Sequence, residues 1–185
     1  MASLYARFGF TTHRAFVETD AEPKLTWLYS HAPDGFEQAM ADLVLSPDYQ
    51  QLADEKEPHV FRSVTTRVVQ PDLLTRVTVE SMAGERTAER IAIMRRYDLT
   101  GSFDDFLAIW RQIVPVREKY GYRCLFAVSD REQMRFTWAF DFDGDFADFP
   151  DSQRDYYRDP DRVRLREVFH YMADYSIHPA GQLLV

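Results

Sequence analysis

The chain has 185 residues, 45% hydrophobic and 28% charged, a balance that excludes disordered and fibrous classes and suits one sizeable core or two small ones. Its net charge of −8 and pI near 5.1 have the wrong sign for holding phosphates, so nucleic acid is excluded as an expected partner. The single cysteine, Cys124, excludes an internal disulfide, and the chain shows neither an apolar run suited to membrane insertion nor a secretory pattern, so a cytoplasmic location is expected.

In chain order, strands are expected over Leu4 to Phe16 and Lys24 to His31, then a helix over Phe36 to Glu57 and a strand over His59 to Val69. Leu73 to Glu80 alternates apolar and polar residues and is a candidate extra strand, and residues 81–90 read as a linker. Ile91 to Asp98 is rich in β formers, and Thr100-Gly101-Ser102 is a turn ending at a helix N-cap. From Phe103, the residues Phe106, Leu107, Trp110, Ile113 and Val114 recur at three and four, which is a helix face. Pro115 is expected to bend or bound that helix, and Gly121 to cap it.

Strands over Tyr122 to Ser129 and Met134 to Phe142 follow, the latter placing Phe136, Trp138, Phe140 and Phe142 on one face. A polar helical segment is expected from about Phe146 to Arg158. A last strand runs from Glu167 to Ile177 and stops at Pro179, leaving residues 180–185 as a tail. The order β-α-β-β-α-β is the split ferredoxin-like unit.

Several features occur twice. Thr26-Trp27 and Thr137-Trp138 are each followed by an Asp-Gly turn, a Pro-Asp step and a Val-Phe pair, and Gly9-Phe10 and Gly121-Tyr122 precede them. The fold class expected is therefore α+β, with tandem ferredoxin-like units. Residues 1–71 form an incomplete repeat lacking its opening strand and helix, 72–90 a linker, and 91–179 a complete repeat. Trp27 and Trp138, at equivalent places, are expected to pack the two halves against each other.

Arg95-Arg96-Tyr97-Asp98-Leu99 before a Gly turn, Tyr120-Gly121, Thr137-Trp138 and Arg158-Asp159-Pro160 resemble NIPSNAP-type domains of the dimeric α/β-barrel superfamily. Gly9-Phe10, Thr26-Trp27-Leu28-Tyr29 and Ser46-Pro47-Asp48-Tyr49 are similar in the first copy. The resemblance implies a barrel-type α+β fold. It carries no agreed catalytic set to transfer; wider relatives include cofactor-free monooxygenases, haem-binding proteins and small cyclases.

Candidate chemistry follows from strand parity. Arg95 and Tyr97 share one face and Arg96 takes the other, so a buried arginine would need an anion, either Asp141 or Asp174 or a ligand carboxylate. His170 or Tyr97 is expected to move protons, Arg95 to hold an anionic group, and Trp138 with Phe140 to form an apolar wall. None of the five histidines belongs to a close-spaced ligand set, and the acidic run from Asp141 lacks the Gly and Glu of a calcium loop, so neither metal nor cofactor is expected. A small-molecule ligand is the expected partner, a homodimer is left open, and a non-catalytic interaction scaffold is the competing reading.

Overall fold

The computed structural model describes residues 2–19, 24–55, 65–74, 91–142 and 146–183. The chain divides into two units, one of residues 1–16, 25–66 and 183–185, the other of Val17–Lys24 and Arg67–Gln182.

In the first unit, helix α1 (Ala2–Arg7) leads into β1 (Thr11–Glu18), whose final residues belong to the second unit, and β2 (Leu25–Ser30) follows. The strand expected from Leu4 therefore begins only at Thr11. Gly9, at φ +84°, takes the left-handed conformation that ends a helix, and Ala6 and Tyr5 carbonyls accept from the Gly9 and Phe10 amides. Two helices, α2 (Phe36–Leu45) and α3 (Pro47–Glu55), replace the single one expected, because Pro47 cannot donate to the preceding turn and Ser46 is extended. The strand placed over His59 to Val69 lies partly outside the described residues, and residues 65–69 are not strand. The unit's core joins Leu4, Tyr5, Phe10 and Leu43, with Trp27 packed 4.5 Å from the Tyr5 ring.

The second unit opens with β3 (Gln70–Leu74), then β4 (Ile91–Leu99), α4 (Phe103–Glu118), β5 (Tyr122–Asp130) and β6 (Arg135–Phe142). A 3-10 turn (Phe146–Asp148), α5 (Phe149–Arg158), α6 (Pro160–Arg164), a 3-10 segment (Arg166–Tyr171) and β7 (Met172–Leu183) complete it. Its strands lie in the order β7-β4-β6-β5-β3. Apart from β3, this is fourth, first, third, second, all antiparallel, as in a ferredoxin-like unit. The candidate strand at Leu73 to Glu80 is displaced: pairing with β5 runs from Gln70 to Leu74, and residues 75–90 lie outside the described residues.

Local chemistry explains why α4 forms. Ser102 caps it by accepting from the Asp105 amide at 3.2 Å, and Asp104 and Asp105 occupy the first turn, where their charge suits the helix dipole. Pro115 does not bound the helix, which continues to Glu118 under the pull of Val114, Val116 and Arg117, all buried. Phe103, Phe106 and Trp110 then meet the β6 face, with Trp110 4.8 Å from Phe136 and 5.6 Å from Trp138. Trp138 thus packs inside its own unit, as Trp27 does in the other.

The end of the chain departs most from expectation. The last strand starts at Met172 and runs through Pro179 to Leu183, with Pro179 opposite Ile93 and Ala180 opposite Ala92, so residues 180–183 are strand and not tail. Proline keeps its carbonyl, and Thr19 N–H donates to Pro179 O at 3.0 Å. No helix among the described residues is long and apolar enough to cross a membrane.

Candidate functional site

Between β4, β6 and β7 on one side and α4, α5 and α6 on the other lies a cavity of about 440 Å³, wholly within the second unit. Strand alternation supplies its floor. Arg95 and Tyr97 project toward the helices from β4, Trp138 from β6, and Tyr175 and Ile177 sit opposite Tyr97 and Arg95 on β7. Arg96 takes the other face, where it pairs with Glu18. Helix α4 contributes Trp110, Ile113 and Arg117, and α5 and α6 contribute Tyr156, Tyr157 and Arg162. The exposed side chains of Phe169, Tyr175 and Ile177 form the rim.

Of the residues singled out in the sequence, Arg95, Tyr97 and Trp138 come together here. Phe140 stands just behind, with the Arg95 guanidinium 5.3 Å from its ring centre, and does not line the space. His170 does not join them. It lies in the 3-10 segment, exposed, and does not line the cavity. The physical reason is the period: a strand would put Val168 and His170 on one face, whereas a three-residue turn buries Val168 and rotates His170 outward. The carboxylates proposed as partners of Arg95 are also elsewhere. Asp141 accepts from Arg123 Nε at 3.1 Å, and Asp174 is exposed and accepts from the Tyr175 amide at 2.8 Å.

Three arginines that reach the cavity, Arg95, Arg117 and Arg162, are 6%, 3% and 5% exposed, and no lining residue is Asp or Glu. Aromatic rings surround them instead. The Arg117 guanidinium lies 4.3 Å from the ring centres of both Phe140 and Tyr156 and 4.9 Å from Tyr122; that of Arg162 lies 5.0 Å from Phe169. Arg162 is fixed by the Asp159-Pro160 start of α6, where Asp159 Oδ1 accepts from the Asp161 and Arg162 amides at 2.6 and 3.4 Å. The Tyr120 hydroxyl donates to the other carboxylate oxygen of Asp159 at 2.9 Å, tying α6 to the end of α4.

These charges act on one another. Burial, followed by the like charge of Arg95, pulls the Arg117 guanidinium below its ordinary range. Burial would push the Tyr157 phenol up, but Arg95 and Arg117 outweigh it and hold Tyr157 below its usual value of 10. Tyr156, more deeply buried, moves the opposite way, pushed up chiefly by desolvation. Ultraviolet titration of tyrosinate should therefore find a step below the usual value of 10, and that step should move upward in Arg95→Met. A titration unchanged by that substitution would show that Arg95 does not govern Tyr157.

The sequence reading missed Arg117, Arg162 and Tyr157. Arg117 was detectable, because it falls three and four residues beyond Val114 and Ile113, on the apolar face of α4.

No family model and no curated protein matches this chain. Among solved structures, one described as a "Putative monooxygenase" from Fusobacterium nucleatum subsp. nucleatum is similar, with a TM-score of 0.56 at 11% identity over 99% of this chain and 84% of its own. An uncharacterized NIPSNAP domain protein from Burkholderia xenovorans aligns with a TM-score of 0.42 at 16% identity, over 51% of this chain and 93% of its own. The fold is α+β, and its second unit has the ferredoxin-like strand order that the sequence led one to expect.

Proposed function

We propose that the protein binds a small aromatic or polyketide-like molecule in the cavity of its second unit and transforms it without a metal. The observation that carries this reading is a cleft of about 440 Å³, open at its rim and large enough for a fused-ring compound, with tryptophan and tyrosine walls and a few convergent polar groups. Trp138 and Trp110 present flat apolar surface, Arg95 meets the polar end of the ligand, and Tyr97, beside Arg95, is placed to move a proton. The monooxygenase description belongs to the Fusobacterium protein. Carried to this chain, it suggests oxygenation as the reaction to assay first.

The scaffold reading predicts a filled interior and an apolar docking face. The cavity favours the binder. Calorimetric titration with a panel of naphthols should give saturable binding of one molecule per chain. Ile177→Trp, at the half-exposed rim, should block it with little effect on stability. Saturable binding that ignores Ile177→Trp, or no binding across the panel, would remove the cavity as the site.

A further inference from the structure

We infer that the natural occupant of this cavity is an aromatic carboxylate, its anionic group held among Arg95, Arg117 and Arg162. This rests on the reading that the cavity takes an aromatic molecule, and it adds the charge of that molecule. The lining is rich in donors and poor in acceptors. Arg95 Nε, Arg117 Nε and Nη1, Arg162 Nε and the indole N–H groups of Trp110 and Trp138 are all buried without a protein acceptor. Tyrosine hydroxyls and the Gln153 amide are the acceptors among the lining side chains, and each of these groups is also a donor.

Three explanations compete for a triad of buried cations. The first is that aromatic rings compensate them. Guanidinium–ring contacts do surround Arg117 and Arg162, but each is weak beside the penalty of burying a full charge. The second is that water satisfies them. Water can accept from these N–H groups, but it brings no negative charge to offset the repulsion between Arg95 and Arg117. The third is a protein anion. The tyrosines are the candidates, since Tyr97 and Tyr157 hydrogen-bond Arg95 and Tyr156 hydrogen-bonds Arg162, yet these hydroxyls leave Arg95 Nε, Arg117 Nε and Nη1 and Arg162 Nε without an acceptor.

A carboxylate supplies both the negative charge that water and rings lack and the acceptor oxygens that the unpaired guanidinium N–H groups need. A carboxylate offers two oxygens with about four lone-pair sites and matches the planar fork of a guanidinium. Its ring would lie against the indole walls, in the space that the arginines leave apolar. Phosphate would satisfy the charge, but it would leave the aromatic lining uncovered.

The test compares 2-naphthoate with 2-naphthamide, nearly identical in shape and differing in charge, by calorimetric titration of the full chain at pH 7 and low salt. The acid should bind at least about tenfold tighter than the amide, the ratio expected for charge-assisted over neutral hydrogen bonds. That preference should shrink toward unity in Arg117→Met, and in Arg162→Gln as a second variant should the first fail to fold. Equal affinity for acid and amide would overturn the inference and leave the aromatic reading standing. Binding of neither would end both. A tenfold preference that survives in both arginine variants would place the carboxylate elsewhere and overturn the assignment.

Discussion

Arg117→Met should make the unliganded protein more stable than the wild type, by about 1–4 kcal/mol, the range found when buried ionic groups give way to apolar ones of similar volume. The side chain is 3% exposed, two of its nitrogens lack a protein acceptor, and Arg95 repels it. Methionine keeps an unbranched stem against Phe140 and Tyr156 while removing the charge, so the substitution tests electrostatics without opening a large cavity. Alanine would confuse the two effects, since it also deletes the stem.

Urea unfolding measures the change directly, with the slope reporting whether the unfolded state has shifted. A ligand present at a hundred times its dissociation constant adds about 2.7 kcal/mol to whichever form binds it. 2-Naphthoate at a hundred times its wild-type dissociation constant should therefore raise the unfolding midpoint of the wild type by more than that of the variant, which at tenfold weaker affinity gains only about 1.4 kcal/mol, and so narrow the gap between them. A midpoint for unliganded Arg117→Met below that of the wild type would mean that rings and hydroxyls already compensate the cation, and that a strained, ligand-seeking site is the wrong description.

The sequence made the second unit legible because its periods are clean. Phe136, Trp138 and Phe140 alternate, Phe106 to Val114 repeat at helical spacing, and the boundaries of β4, α4, β5 and β6 fall within a residue or two of those expected. Where two periods compete, pattern failed. Glu167 to Ile177 reads as one extended run, yet its first half coils into a 3-10 segment that buries Val168 and turns His170 to solvent. The candidate site was half visible for a related reason. Strand parity found Arg95, Tyr97 and Trp138, but α5 and α6 carry so many charges that Tyr157 and Arg162 read as a solvated surface. Composition cannot report that Arg162 is buried among Tyr156, Tyr157 and Phe169; only the fold brings those rings over it.

Phe136→Ala should cost about 3–5 kcal/mol, the usual penalty for emptying a large aromatic site in a core. Phe136 is fully buried, and its ring is 4.8 Å from Trp110, 5.1 Å from Phe106 and 6.2 Å from Tyr97. Those neighbours belong to β4 and α4, so the void would open between layers that cannot close without moving either helix or sheet. Because domains of this size hold only about 5–15 kcal/mol in total, the variant should unfold at a much lower urea concentration. Its effect on the cavity should differ in kind from that of the arginine substitutions. Phe136 does not line the cavity, but it backs Trp110 and Tyr97, which do. Loosening those walls should weaken naphthoate and naphthamide alike and preserve their ratio, since Arg95, Arg117 and Arg162 are untouched. A selective loss of the acid alone would mean that the placement of the guanidinium groups depends on this core layer, and that packing and charge recognition are coupled through Trp110.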